Sequence, residues 1–197
     1  MTQIKICGLF READIEAVNA ARTDYAGFVF ASSRRQVSVE QAGRLSRLLS
    51  ADIAAVGVFV NPELDQVVKL CQSGIISLVQ LHGQETMPFV AQVRQACGCP
   101  VIKAIRMDKD HDLADWQSSV ADYLLLDNGT GGTGIAFDWQ QIPRLEKPFF
   151  LAGGIDAGNL ASALACEPFC IDVSSGVETN GCKDRGKILQ IVSMVRA

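Results

Sequence analysis

Residues 54–71 read AAVGVFVNPELDQVVKLC. Ala54–Val60 is a nearly unbroken apolar run of strand length, the pattern of a strand buried on both faces of a parallel sheet. Asn61-Pro62 stops it, since proline offers no N–H to a ladder. Then Leu64, Val67, Val68 and Cys71 recur at i, i+3, i+4 and i+7, the apolar stripe of an amphipathic helix. The stretch is one strand–helix unit, and the fold depends on how often the chain repeats it.

Runs of the same kind occupy Gln3–Cys7, Tyr25–Phe30, Ser77–His82, Val101–Arg106, Asp122–Asp127, Phe149–Ala152 and Phe169–Val173. Helical patterns lie between them. Ser38 opens one, with Gln41 as its capping-box partner and Ala42, Leu45, Leu48 and Leu49 as apolar positions. The last helix repeats the stripe with Ile188, Ile191, Val192 and Val195, whereas the segment around Asp138–Gln141 supports only a short helix. Eight units in 197 residues, about 25 residues each, are the repeat of an α/β (β/α)₈ TIM barrel at the small end of its range. A doubly wound open sheet shares this alternation and stands as the second architecture. No Pro/Gly/Ser-rich linker divides the chain, so residues 1–197 are expected to form one barrel domain.

Composition narrows the function classes. The chain is 48% hydrophobic, with 18 basic and 22 acidic residues well interspersed and a net charge of −4. No basic stripe suits nucleic acid, and no apolar run reaches membrane-spanning length. "TQIKICG" has neither the basic nor the apolar part of a signal peptide, so a cytoplasmic location is expected. Seven cysteines (Cys7, Cys71, Cys97, Cys99, Cys166, Cys170, Cys182) form no pair of C-x-x-C knuckles, and only His82 and His111 accompany them. No metal site is expected, and six of the seven read as reduced, small hydrophobes.

The polar residues gather where strands end: Cys7-Gly8, "SSRRQ" at 32–36, "QLHG" at 80–83, "LLLDNGTGGTG" at 124–134, "LAGGI" at 151–155 and "DVSSGVE" at 172–178. In a parallel barrel all of these fall on the C-terminal rim, where active sites are built. Gly153 and Gly154 permit close backbone approach, and Ser174, Ser175 and Gly176 are expected to open a short helical turn with free N–H groups. Two such turns, after the last two strands, form a phosphate cradle. Asp127 shares a strand face with Tyr123 and Leu125. An apolar setting would raise its pKa and suit a general acid, while the Asn128-Gly129 that follows suits a turn aspartate equally well. Cys7 shares its face with Lys5, which would favour the thiolate. His82 ends the fourth strand and is assigned a substrate contact; His111, within "DKDHD", is expected to be solvated. Four glycines in residues 128–134 lead to the expectation of a lid.

In order, "KICG", "GFVF", "VGVFVN", "QLHG", "LLLD", "GGTG" with "FDW", "LAGGI" and "DVSSGVE" resemble the phosphoribosylanthranilate isomerases of tryptophan biosynthesis over nearly the whole chain. The departures are Phe10, where the family often has a small hydroxyl residue, and Asn128. The resemblance implies a TIM-barrel isomerase. Its general base falls on Cys7, its general acid on Asp127, an anthranilate-side arginine on Arg35, and a substrate-side aspartate on Asp172; Arg34 is the neighbour without a settled role.

The implied reaction is an Amadori rearrangement of an anthranilate-bearing ribose phosphate, by acid and base groups flanking the sugar. The substrate's own nitrogen takes the electrons, so no cofactor is implied. The only implied partner is a small phosphorylated molecule, with the chain acting as a monomer or homodimer. Two other readings remain: another sugar-phosphate isomerase or epimerase, for which two histidines are few, and a non-catalytic sugar-phosphate-binding barrel, which would need neither Cys7 nor Asp127.

Overall fold

The computed structural model describes residues 1–107, 113–127, 139 and 142–197. The lid expected at 128–134, the short helix expected near 138–141 apart from Trp139, and His111 lie outside the described residues.

The strands are β1 (Gln3–Cys7), β2 (Tyr25–Val29), β3 (Ala54–Phe59), β4 (Leu78–Leu81), β5 (Val101–Arg106), β6 (Tyr123–Asp127), β7 (Phe149–Leu151) and β8 (Cys170–Val173). They pair in sequence order, all parallel, and β8 returns to β1 to close the barrel, so the open sheet is excluded. Each expected strand lies within one residue of its place at either end. The described helices are α1 (Glu12–Ala21), α2 (Val39–Ser46), α3 (Leu64–Gln72), α4 (Met87–Cys97), α5 (Leu113–Gln117), α6 (Leu160–Leu164) and α7 (Arg185–Val195). A 3₁₀ turn over Ser175–Val177 and a small antiparallel hairpin, β9 (Glu178–Thr179) with β10 (Cys182–Lys183), precede α7. No described helix is long and apolar enough to cross a membrane.

Local chemistry accounts for the helix ends. Ser38 Oγ accepts from the Gln41 N–H at 3.1 Å and caps α2. The reciprocal half of the expected capping box is not made, because the Gln41 amide donates to the Phe10 carbonyl at 2.6 Å. Leu48 is exposed rather than core-facing, since α2 ends at Ser46. On α3 the deeply buried pair is Val67 and Leu70, with Leu64 and Cys71 at the edge of the core, so the stripe is rotated from its expected position. Thr86 and Asp184 cap α4 and α7 through their side-chain oxygens.

Strand alternation produces two cores. Ile4, Ile6, Val79, Leu124, Leu126, Ile171 and Val173 point outward and pack beneath the helices. Tyr25, Val56, Leu78, Ile102, Leu125, Phe150 and Cys170 fill the barrel interior. Above that filling, towards the C-terminal ends of the strands, the interior becomes polar.

Candidate active site

The strands bring together groups far apart in the chain. Because Ile4 and Ile6 face the helices, Lys5 and Cys7 face inward from β1. Gln80 of β4 and Asp172 of β8 sit in the same inner layer. Asp127 ends β6, and His82 stands just beyond β4.

Lys5 is fully buried. Its Nζ donates to Asp172 Oδ2 at 2.9 Å and to Gln80 Oε1 at 2.8 Å. With the Gln80 carbonyl turned to Lys5, its amide nitrogen faces His82 Nδ1 at 2.9 Å. That network assigns His82 Nδ1 as acceptor and puts the proton of a neutral ring on Nε2. Nε2 lies 3.1 Å from Asp127 Oδ2. A polar chain, Asp172–Lys5–Gln80–His82–Asp127, thus crosses the top of the barrel. His82, expected to touch substrate, has both ring nitrogens engaged by protein.

Cys7 is buried beside this chain. A Cβ on Gly27 would stand 2.8 Å from Cys7 Sγ, so only glycine leaves room for the thiol on the neighbouring strand. The expectation that Lys5 lowers the thiol pKa is corrected. Burial pushes the Cys7 thiol above its ordinary value, and Lys5, opposed by Asp172, does not reverse the shift. Burial also disfavours the Lys5 ammonium, but Asp172 and Cys7 outweigh it and hold its pKa above the ordinary lysine value.

Arg35 lies in the wall of the same cavity and forks onto Glu178, Nε to Oε1 at 2.7 Å and Nη2 to Oε2 at 3.0 Å. Lys183 reaches Glu178 Oε1 at 2.8 Å. Burial opposes ionisation of Glu178, yet Arg35 and Lys183 hold its pKa down at about 2. Arg34 is more exposed and also pairs with Glu178, at 2.7 Å. Gly8 has φ 81°, and a Cβ there would strike the Arg35 side chain, so this glycine serves both the turn and the arginine's position.

After β7, Gly153 and Gly154 take positive φ values of 89° and 69° and turn the backbone along the cavity. Among the described residues, the N–H groups of Gly153, Gly154 and Ser175 meet no acceptor in the protein. Gly176 is not in the cavity wall. It packs on the Ile155 carbonyl, where a Cβ would collide, and so fixes the spacing between the two turns. The cavity measures about 220 Å³, and Cys7, Arg35, His82, Asp127, Gly153, Gly154, Asp172 and Ser175 all line it. A larger hollow of about 960 Å³, between Trp139, Arg144, Phe149 and Cys166, contains none of these groups.

Sequence reasoning missed Gln80, Glu178, Lys183 and Gly27. Gln80 was accessible to it, standing two residues before His82 on the inward face of β4. Glu178 meets Arg35 across 143 residues of chain, and no local pattern announces that pair.

Fold and site together define a (β/α)₈-barrel enzyme whose rim brings thiol, carboxyl, imidazole and guanidinium groups around one cavity. The family model described as N-(5'phosphoribosyl)anthranilate (PRA) isomerase matches residues 4–194. The N-(5'-phosphoribosyl)anthranilate isomerase of Endomicrobium trichonymphae is 44% identical over 203 residues, covering 100% of both chains. Among solved structures, phosphoribosyl anthranilate isomerase from Thermus thermophilus superposes with a TM-score of 0.90 at 30% identity, over 99% of this chain and 98% of that one. A phosphoribosyl anthranilate isomerase in complex with reduced 1-(o-carboxyphenylamino)-1-deoxyribulose 5-phosphate gives 0.85 at 31% identity, over 100% and 99%. The chain belongs to the N-(5'-phosphoribosyl)anthranilate isomerase family.

Proposed function

We propose that the protein converts N-(5-phosphoribosyl)anthranilate into 1-(2-carboxyphenylamino)-1-deoxyribulose 5-phosphate, in the cytoplasm, as a step of tryptophan biosynthesis. The observation that carries this reading is the meeting of Cys7 and Asp127 in one cavity, held from β1 and β6 with room for a ligand between them.

Asp127 protonates the ribose ring oxygen. The C1′–O bond breaks, and the anthranilate nitrogen lone pair forms the C1′ iminium. The Cys7 thiolate then removes the C2′ proton, and the C–H electron pair moves to make an enolamine, which tautomerises to the ketone. The nitrogen is the electron sink throughout.

The rest of the rim has matching roles. His82 donates from Nε2 to Asp127 Oδ2 and so orients the carboxyl group that transfers the proton. As that proton leaves, the same hydrogen bond stabilises the carboxylate. Asp172 Oδ1 is buried without a hydrogen-bond partner among the described residues, a position suited to a ribose hydroxyl. The N–H groups of Gly153, Gly154 and Ser175 meet the phosphate, with Gly176 setting their separation. Arg35, braced by Glu178, faces the anthranilate carboxylate. Binding at the phosphate end fixes the sugar between acid and base and lowers the entropic part of the barrier.

Rescue of a tryptophan auxotroph lacking this isomerisation, with turnover by the purified protein, tests the proposal. A folded protein that binds the phosphorylated substrate but neither rescues growth nor turns it over would establish a binding barrel instead.

A further inference from the structure

At the opposite end of the barrel, three half-buried cysteines converge. Cys71 lies in the last turn of α3, Cys97 is the last residue of α4, and Cys99 follows two positions later, before β5. Gly98 takes φ 66° between them, turning the chain so that Cys97 and Cys99 stand on the same side as Cys71 of the neighbouring helix. Cys71 Sγ and Cys99 Sγ are 3.5 Å apart, and all three sulfurs lie within 4.8 Å of one another. Among the described residues, this is the one group of three or more potential metal ligands at such spacing.

We propose that Cys71, Cys97 and Cys99 form a three-thiolate site for a thiophilic d¹⁰ cation, the class of Zn(II), Cd(II) and Cu(I). With metal–sulfur bonds of about 2.3 Å, a trigonal thiolate centre needs its sulfurs about 4 Å apart, which these three meet with a shift of less than about 1 Å. Soft thiolates select these ions over Mg(II) or Ca(II). A hollow of about 210 Å³ opens beside Cys99, between Arg94, Gly98, Pro100 and Asp122, and gives an ion a way in and a water ligand a place. Asp122 is engaged by Arg94 at 2.9 Å and by the Val101 N–H at 2.9 Å, which leaves the thiols as the ligand set. Cys166 and Cys182 lie elsewhere and serve as internal controls.

The site is separate from the catalytic rim and does not depend on the proposed reaction. The test titrates the reduced, full-length protein with Cd(II), reading the ultraviolet thiolate-to-metal charge-transfer band and proton release. The expected result is one tight equivalent, with two to three protons released per ion at about pH 7. Cys71→Ser, Cys97→Ser and Cys99→Ser should each weaken binding at least about 100-fold, while Cys166→Ser and Cys182→Ser leave it unchanged.

A second measurement needs no variant. In the unsubstituted protein, one equivalent of Cd(II) should protect Cys71, Cys97 and Cys99 from iodoacetamide while Cys182 reacts as before, mapped by peptide mass spectrometry. Binding that survives loss of these thiols, no stoichiometric binding, or protection of a different cysteine set would overturn the proposal.

Discussion

The barrel interior contains two regions built from the same strands, two residues apart. Near the N-terminal ends, Tyr25, Tyr123 and Phe150 pack with Phe169, the Phe150 ring lying 5.4, 5.5 and 5.8 Å from Tyr25, Tyr123 and Phe169. One inward step along, Lys5, Gln80 and Asp172 are linked by hydrogen bonds, with Cys7, His82 and Asp127 above them. Strand β6 passes from Tyr123 through Leu125 to Asp127, and β8 from Cys170 to Asp172. The lower region excludes water and gains stability by burial. The upper region gives up stability to place polar groups, which hydrogen bonds link from Asp172 to Asp127, with Asp172 Oδ1 lacking a partner among the described residues. The aromatic filling is thus the floor on which the polar chain is held.

The largest effects should separate the two regions. Asp127→Asn and Cys7→Ser are each expected to lower kcat by about 10²–10⁴-fold, because an amide cannot donate the proton and a hydroxyl is a far weaker base. Their Tm should stay within about 4 °C of the parent. Steady-state kinetics and thermal melts on the same preparations check this, and near-parental turnover by either variant breaks the comparison.

The reverse outcome is expected below. Phe150→Ala removes a fully buried ring and should cost about 3–5 kcal/mol in urea unfolding, with kcat of the remaining folded fraction little changed. Equal loss of turnover would mean that floor and site are not separable.

The pH profile sharpens the account of Cys7. Its base form is the thiolate, so kcat/KM should rise with pH. Because burial raises this thiol, the limb should still be climbing past the ordinary cysteine value of about 8.5. A plateau already reached at neutral pH would show that bound substrate or Lys5 lowers it after all.

The smallest effect concerns the edge of the upper region. Glu178→Gln should raise KM by several-fold with kcat nearly preserved, since it loosens Arg35 without touching the proposed acid, Asp127, or the proposed base, Cys7. The Glu178 pKa is depressed to about 2 in the fold, against about 4.3 when unfolded. Its contribution to stability is therefore present above about pH 4.3 and is lost as pH falls towards about 2. Acid unfolding of the Gln variant should lose that part of the pH dependence.

The eight strands were legible because runs such as LLLD and VGVF are apolar on both faces, and the rim groups because each follows such a run. What one strand could not reveal was its neighbours across the barrel. Lys5 shares a face with Cys7 in the sequence, which suggested a lowered thiol pKa; Asp172, 167 residues away, turns that charge to a different partner. His82 reads as a lone histidine until Gln80 and Asp127 are seen on its two nitrogens. The thiol cluster was hidden for the same reason, with Cys71 and Cys97 on adjacent helices 26 residues apart.

The Lys5–Asp172 pair also bears on the order of events during synthesis. One partner belongs to the first strand and the other to the last, so the ribosome delivers the lysine long before the group that neutralises it. Until β8 emerges, docking β1 would bury that ammonium with the Gln80 carbonyl as partner but without its counter-charge, a cost that opposes the packing of one short strand. The seam between β1 and β8 is accordingly among the last to close, and Cys7 takes its place in the cavity wall with it. Pulsed hydrogen exchange during refolding would then find the amides of Ile4 to Cys7 protected late, after those of β3 to β5.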